Sequence, residues 1–171
     1  RRSSDLQKQN LIIQPELKKV KPKIKKNDLK GINTLISSYT TNFRSSNRNR
    51  STNIRVASSS INGKIVMPGE IFSFNTVVGE RSNANGYTTA KGIIDGKVVD
   101  DIGGGVCQVS TTLYNAILRT NIISVERYPH SLHSSYIGAG LDATVSYGLL
   151  DYRFKNKIGR ASCRERVFAG C

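Results

Sequence analysis

At 171 residues the chain is long enough for one domain with a real core and too short for two large ones. Its formal charge is +14, and half of that excess lies in residues 1–30, where ten Lys or Arg face three Asp or Glu. That stretch holds no aromatic residue and no recognisable nucleic-acid module, which argues against nucleic-acid binding and leaves a solvated face or a contact to an anionic envelope.

No run of eighteen apolar residues occurs, so nothing reads as a membrane-spanning helix. No secretory leader is legible, and the chain opens on Arg1. It therefore reads as a piece of a longer protein, with any export segment or membrane anchor expected upstream. At the other end, Ile158–Phe168 (IGRASCRERVF) looks like a translated sequencing adapter. The natural sequence is expected to stop near Lys157, with 158–171 a non-native tail, against the plainer alternative of a genuine basic tail. Cys163 and Cys171 then drop out of consideration and Cys107 stands alone. A lone Cys offers neither an internal disulfide nor a zinc-ligand spacing. No metal or cofactor is expected.

In chain order, 5–30 mixes Leu11, Ile12 and Ile13 with Lys and Pro, as the end of a preceding domain plus a basic linker would. Residues 28–39 suit a short helix or an extended lead-in to Tyr39–Phe43. The polar run 44–51 reads as a loop, with Ser51 or Thr52 capping a helix whose inner face carries Ile54, Ala57 and Ile61. Asn62-Gly63 ends it. Ile65–Met67, Pro68-Gly69 and Ile71–Phe74 read as strand, turn and strand, with Phe72 and Phe74 inward. Asp95-Gly96 predicts a hairpin turn between Gly92–Ile94 and Lys97–Val99.

Val109, Thr112, Leu113, Ala116 and Ile117 then share one helical face, and that helix begins at or just after Cys107. Ile122–Val125 reads as a strand and Tyr128–Ser131 as a polar connection. Thr144–Tyr147 and Tyr152–Phe154 read as closing strands. The pattern predicts an α+β fold: a single compact domain of short helices packed on a mostly antiparallel sheet, with the cysteine at a helix N-terminus.

Three glycines, Gly103 to Gly105, lead into Cys107. A glycine run feeding a helix leaves the first N–H groups pointing outward, where they and the helix dipole favour negative charge. A thiolate there is expected to have a lowered pKa, and the same N–H groups near Cys107 to Val109 could hold an oxyanion. Gly104, Gly105, Gln108, Ser110 and Ser131 are candidates for the oxyanion or substrate contacts. A cysteine nucleophile normally works with a base, usually His. His130, between Pro129 and Ser131, is favoured over His133. Asp142, Asp101 and Ser131 are candidates to orient the imidazole. The plain alternative is a structural cysteine packed as a small apolar group.

Asn53–Gly63, Met67–Gly79, Gly86-Tyr87, Gly103–Ala116 (GGGVCQVSTTLYNA), His130-Ser131 and Leu141–Val145 together resemble the VanW-like domain of bacterial cell-envelope proteins. The resemblance runs from about Thr41 to Asn156. It implies three segments: 1–30 as the end of a peptidoglycan-binding-like domain with its linker, 31–157 as the VanW-like domain, and 158–171 as the tail. It also implies an extracytoplasmic setting, at the wall or held by an upstream membrane anchor. Some members are similar to cysteine L,D-transpeptidases, which join peptidoglycan stem peptides through 3-3 cross-links. That role would fall on Cys107 as nucleophile and His130 as its partner; Asp142 joins the catalytic set as an orienting candidate on residue type alone. Stem peptides are the implied partners, with anionic wall polymers a further one through the basic N-terminus. A non-catalytic peptidoglycan-binding or glycopeptide-resistance accessory module and a thiol hydrolase of wall peptides are the alternatives.

Overall fold

A computed structural model describes residues 22, 24–30, 32–94 and 96–157. The expectations for the rest of 1–21, and for the tail 158–171, lie outside the described residues. The architecture is a small α+β one, with helices packed on two antiparallel sheets.

After a single helical turn, α1 (Lys26–Leu29), the chain runs without regular structure to Phe43. Helix α2 (Arg48–Ile61) follows and buries Asn53, Ile54, Ala57 and Ile61. Its cap is Asn47, whose side chain accepts from Arg50 N. The helix thus starts earlier than Ser51 or Thr52 would allow, and half of the expected polar loop is its first turn. An Asn side chain caps as well as Ser and outcompetes the later positions.

β1 (Ile71–Ser73) is shorter than expected because Ser73 caps a short helix, α3 (Phe74–Val78), by accepting from Thr76 N. Phe72 and Phe74 are nonetheless both buried, as their alternation requires. Ile65–Met67 forms no strand. A 3-10 turn at Asn83–Asn85 leads to the hairpin of β2 (Thr89–Ile94) and β3 (Lys97–Ile102), in the register Ile94↔Lys97 that the Asp-Gly turn predicts.

α4 (Val106–Leu118) starts one residue before Cys107 and carries the largest buried face among the described helices. It is followed by β4 (Ile123–Glu126) and, at the end, by β5 (Arg153–Lys155). β5 lies between β1 and β4, antiparallel to both. Phe72 faces Phe154 across this pairing, with ring centroids 4.8 Å apart. Of the expected closing strand at Thr144–Tyr147, only isolated bridges form, Tyr128 to Thr144 and Ser146 to Leu150. The physical reason lies in α4, whose side chains take up the backbone groups of 141–145 that a neighbouring strand would otherwise use.

That docking has a simple geometry. Asn115 Nδ2 donates to Leu141 O at 2.6 Å, Ser110 Oγ donates to Ala143 O at 2.6 Å, and Cys107 Sγ donates to Val145 O at 3.4 Å. Thr111 Oγ1 accepts from Ala143 N at 3.0 Å. Eight helical residues rise about 12 Å and four extended ones span about 13 Å, so one helix face matches every second residue of an extended chain. Cys107, Ser110, Thr111 and Asn115 are thus the rungs of a helix-to-backbone ladder, and Cys107 is its last rung.

Candidate active site

The approach to Cys107 is built by close backbone contact. A Cβ on Gly104 would sit 2.4 Å from Ala90 O, so only glycine lets this turn lie against β2. Gly105 caps α4 at φ 104°, in the left-handed region, and a Cβ there would meet Arg50 Cγ at 2.8 Å. Asn53, fully buried on α2, locks the turn in place. Its Nδ2 donates to Thr88 O and Gly104 O, and its Oδ1 accepts from Thr88 N.

Cys107 is the second residue of α4, half-buried and unpaired, packed against the core. Burial pushes its thiol up. The Val145 backbone, Arg81 and Arg50 pull it down, Asp101 adds to the upward push, and the net shift is upward. The direction is opposite to the expected lowering: desolvation by burial outweighs the Val145 backbone and both guanidinium groups. Its hydrogen bond goes to a carbonyl and not to an imidazole.

The proposed donors are also committed. Gln108 is buried, and its Nε2 donates to Thr41 Oγ1 and Asn42 O, tying the lead-in segment to α4. Ser110 is a rung of the ladder, its proton directed to Ala143 O. The backbone N–H groups of Val106 and Gln108 donate to Gly103 O and Gly105 O. Gln108, Ser110 and these two N–H groups are thus corrected as oxyanion donors, because carbonyls inside the protein already satisfy them. Gly104 is packed on β2, so its role is to let the turn close. Ser131 is exposed, with its Oγ 3.9 Å from where a Cβ on Gly96 would lie.

His130 and Asp142 do come together. His130 Nδ1 lies 2.6 Å from Asp142 Oδ2, and the His130 backbone N–H donates to the same oxygen. Arg127 completes the cluster, with Nη2 3.0 Å from Asp142 Oδ1 and Nε donating to Asp142 O. Burial pushes the Asp142 carboxyl up, but the backbone and ring donors of His130 more than offset it and hold it below the usual range. A carboxylate on Nδ1 assigns the ring proton there and leaves Nε2 as the basic nitrogen. Of the other orienting candidates, Asp101 is exposed and bears on Cys107 instead. His133 is exposed.

Three residues at the site were not among the expectations. Tyr136 neighbours both halves. Its ring meets the His130 ring edge-on at 6.5 Å and takes the Arg50 guanidinium at 5.9 Å. Burial, reinforced by Cys107, pushes its phenol up to about 12. Arg50 and Arg81 flank the glycine turn, and a Cβ on Gly103 would meet Arg81 Cγ at 2.7 Å. The only sequence signal for the two arginines is their nearness to quoted stretches: Arg81 lies just past Gly79, and Arg50 just before Asn53.

Comparison with known proteins adds the following. The family profile described as VanW like protein matches residues 49–165. The chain is 43% identical over 147 residues to the uncharacterized protein YoaR of Bacillus subtilis, covering 85% of this chain and 48% of that one. It is 32% identical over 114 residues to the vancomycin B-type resistance protein VanW of Enterococcus faecalis, covering 63% of this chain and 41% of that one. The chain thus spans about half the length of the curated relatives it matches, or less. No solved structure matches.

Proposed function

This chain belongs to the VanW-like family, and on that premise we propose that it is a cysteine acyltransferase of the L,D-transpeptidase type, acting on peptidoglycan stem peptides outside the cytoplasm. The observation that carries the reading is one arrangement. A half-buried cysteine at the start of α4 and an imidazole fixed by a carboxylate are held on one frame, because α4 clamps the segment 141–145 that bears Asp142.

In this reading Cys107 Sγ attacks the carbonyl of the third residue of a tetrapeptide stem. The thiol proton leaves as the S–C bond forms, and His130, with Nε2 free, is the group to accept it. The C–N bond to the terminal D-Ala breaks, and its nitrogen takes the proton from the imidazolium. The side-chain amine of a second stem then attacks the thioester, gives up a proton and releases the thiol with a 3-3 cross-link. Because burial pushes the Cys107 thiol up, a base to take its proton is central to this reading. Asp142 keeps His130 in the required tautomer and offsets the charge it gains.

The test is to incubate the chain with purified disaccharide-tetrapeptides and follow products by mass spectrometry. Dimers from the native chain and none from Cys107→Ala are expected. Undiminished dimers from that variant would refute the assignment, and cleaved stems without dimers would make the protein a thiol hydrolase. The Cys107 hydrogen bond to Val145 O favours a second reading, a non-catalytic wall-binding or glycopeptide-resistance accessory module in which the cysteine is only a rung of the ladder. In that case neither product forms.

A further inference from the structure

Two arginines near Cys107 have aromatic rings but no carboxylate as partners: Arg81 lies over Phe74 and Tyr147 at 5.8 and 5.7 Å, and Arg50 over Tyr136 at 5.9 Å. Arg81 Nη2 donates to Asn75 Oδ1 at 2.7 Å, but Nη1 is buried with no hydrogen-bond partner in the protein. The Tyr87 hydroxyl, on a residue 1% exposed, is likewise unpartnered, and it interacts with the Arg81 charge. Arg50 donates to Ser46 Oγ and lies over Tyr136. Among the described residues, neither guanidinium has a carboxylate at ion-pair distance. Two carboxylates do bear on the region. Asp151 acts on Arg81, but its oxygens accept from Ser73 Oγ, Asn75 N and Tyr152 N. Asp101 acts on Cys107 from an exposed position.

A buried guanidinium N–H without an acceptor costs free energy that a folded protein rarely tolerates without a use for it. A planar fork of donors fits a carboxylate better than any other small anion group of a peptide. The shapes agree, since Gly103 and Gly105 make room for the stems of Arg81 and Arg50 and so bring the two cations to either side of the turn that delivers Cys107. We propose that Arg81, assisted by Arg50 and the Tyr87 hydroxyl, forms a carboxylate-binding subsite that takes the free C-terminal carboxylate of the donor peptide. The proposal rests on the reading of Cys107 as the acylated residue. It makes the substrate class a peptide cut one residue from its C-terminus, because the anion held beside the sulfur belongs to the departing amino acid. Internal peptide bonds and amidated ends would not satisfy the site.

Binding separates this proposal from catalysis. The full chain carrying Cys107→Ala, which cannot turn over, is titrated by calorimetry with a synthetic stem tetrapeptide ending in D-Ala as the free acid, and with its C-terminal amide. The acid is expected to bind roughly tenfold or more tighter, and Arg81→Gln to abolish that preference while Arg81→Lys restores part of it. Arg50→Gln should reduce the preference by a smaller factor, and it serves as the second variant should Arg81→Gln fail to fold. Equal binding of acid and amide, no measurable binding of the acid, or a preference that survives the arginine variants would overturn the subsite. If the acid is preferred but no cross-link or cleavage ever forms, the subsite stands and the transferase reading falls. If dimers form equally from acid and amide donors, the reverse holds.

Discussion

The two halves of the candidate site treat charge in opposite ways. Around Asp142 every charge is matched: the carboxylate is held by Arg127, by the His130 ring and by the His130 backbone N–H. Around Cys107 the two guanidinium groups have rings but no carboxylate beside them, an Arg81 donor is buried without a hydrogen-bond partner, and burial pushes the thiol up. Matched buried charges fix a geometry, and unmatched ones keep free energy in reserve for something that binds. On the proposed reading, Arg127 and Asp142 fix the His130 base in the first cluster, and the second cluster is the part that meets a ligand.

Substitutions can break that comparison in order of size. Gly104→Ala should have the largest effect, because its Cβ would fall 2.4 Å from Ala90 O and neither backbone can yield without moving the turn. A loss at or above the upper end of the roughly 1–3 kcal/mol typical of overpacking is expected in a denaturant titration. A variant as stable as the parent would show that the turn does not need this close approach.

Asp142→Asn comes next. It removes the charge from three hydrogen bonds and should cost about 2 kcal/mol at neutral pH, at the scale of hydrogen bonds to charged groups. The sign of its pH dependence follows from the direction of the shift. Asp142 is held below its unfolded-state value, so its contribution is complete above the ordinary aspartate range and is lost as pH falls through the depressed folded value. Urea midpoints measured from pH 7 downward should fall in the parent and fall less in the variant. Parallel curves would mean the carboxylate is not specially held.

Cys107 gives a smaller, kinetic signal. Since burial holds the thiol above the ordinary range, alkylation by iodoacetamide should be slower at neutral pH than for an exposed cysteine peptide, and should accelerate above the usual thiol range. Peptide mapping separates it from Cys163 and Cys171. Fast labelling at neutral pH would restore the low-pKa thiolate. Smallest of all is Lys91→Ala on the β2–β3 hairpin. Both partners of the Lys91–Asp100 pair are about 60% exposed, so no more than about 0.5 kcal/mol should be lost.

What the sequence disclosed followed from local physics. The apolar face of α4, the Asp-Gly hairpin and the inward Phe72 and Phe74 were legible from periodicity and turn chemistry alone. The pairing of His130 with Asp142 was one of three candidates carried by residue type, beside Asp101 and Ser131. Hidden were the roles that depend on which neighbour a polar group meets. Gln108, Ser110, Thr111 and Asn115 look like a polar, donor-rich stretch beside a nucleophile, yet each spends its donor on a backbone carbonyl of another segment or of its own helix. Asn53 gives no periodic signal, because its four side-chain hydrogen bonds reach 35 to 51 residues away. The two arginines were invisible for the same reason: their lack of an acceptor is a property of the assembled fold.

The central claim, that Cys107 carries the acyl group, is tested most directly by quenching the reaction with a disaccharide-tetrapeptide in acid and reading the mass of the peptide containing residue 107. A thioester adduct equal to the donor minus D-Ala is expected on Cys107, and none when His130→Ala blocks its formation. Turnover with that peptide never modified at any reaction time would contradict it.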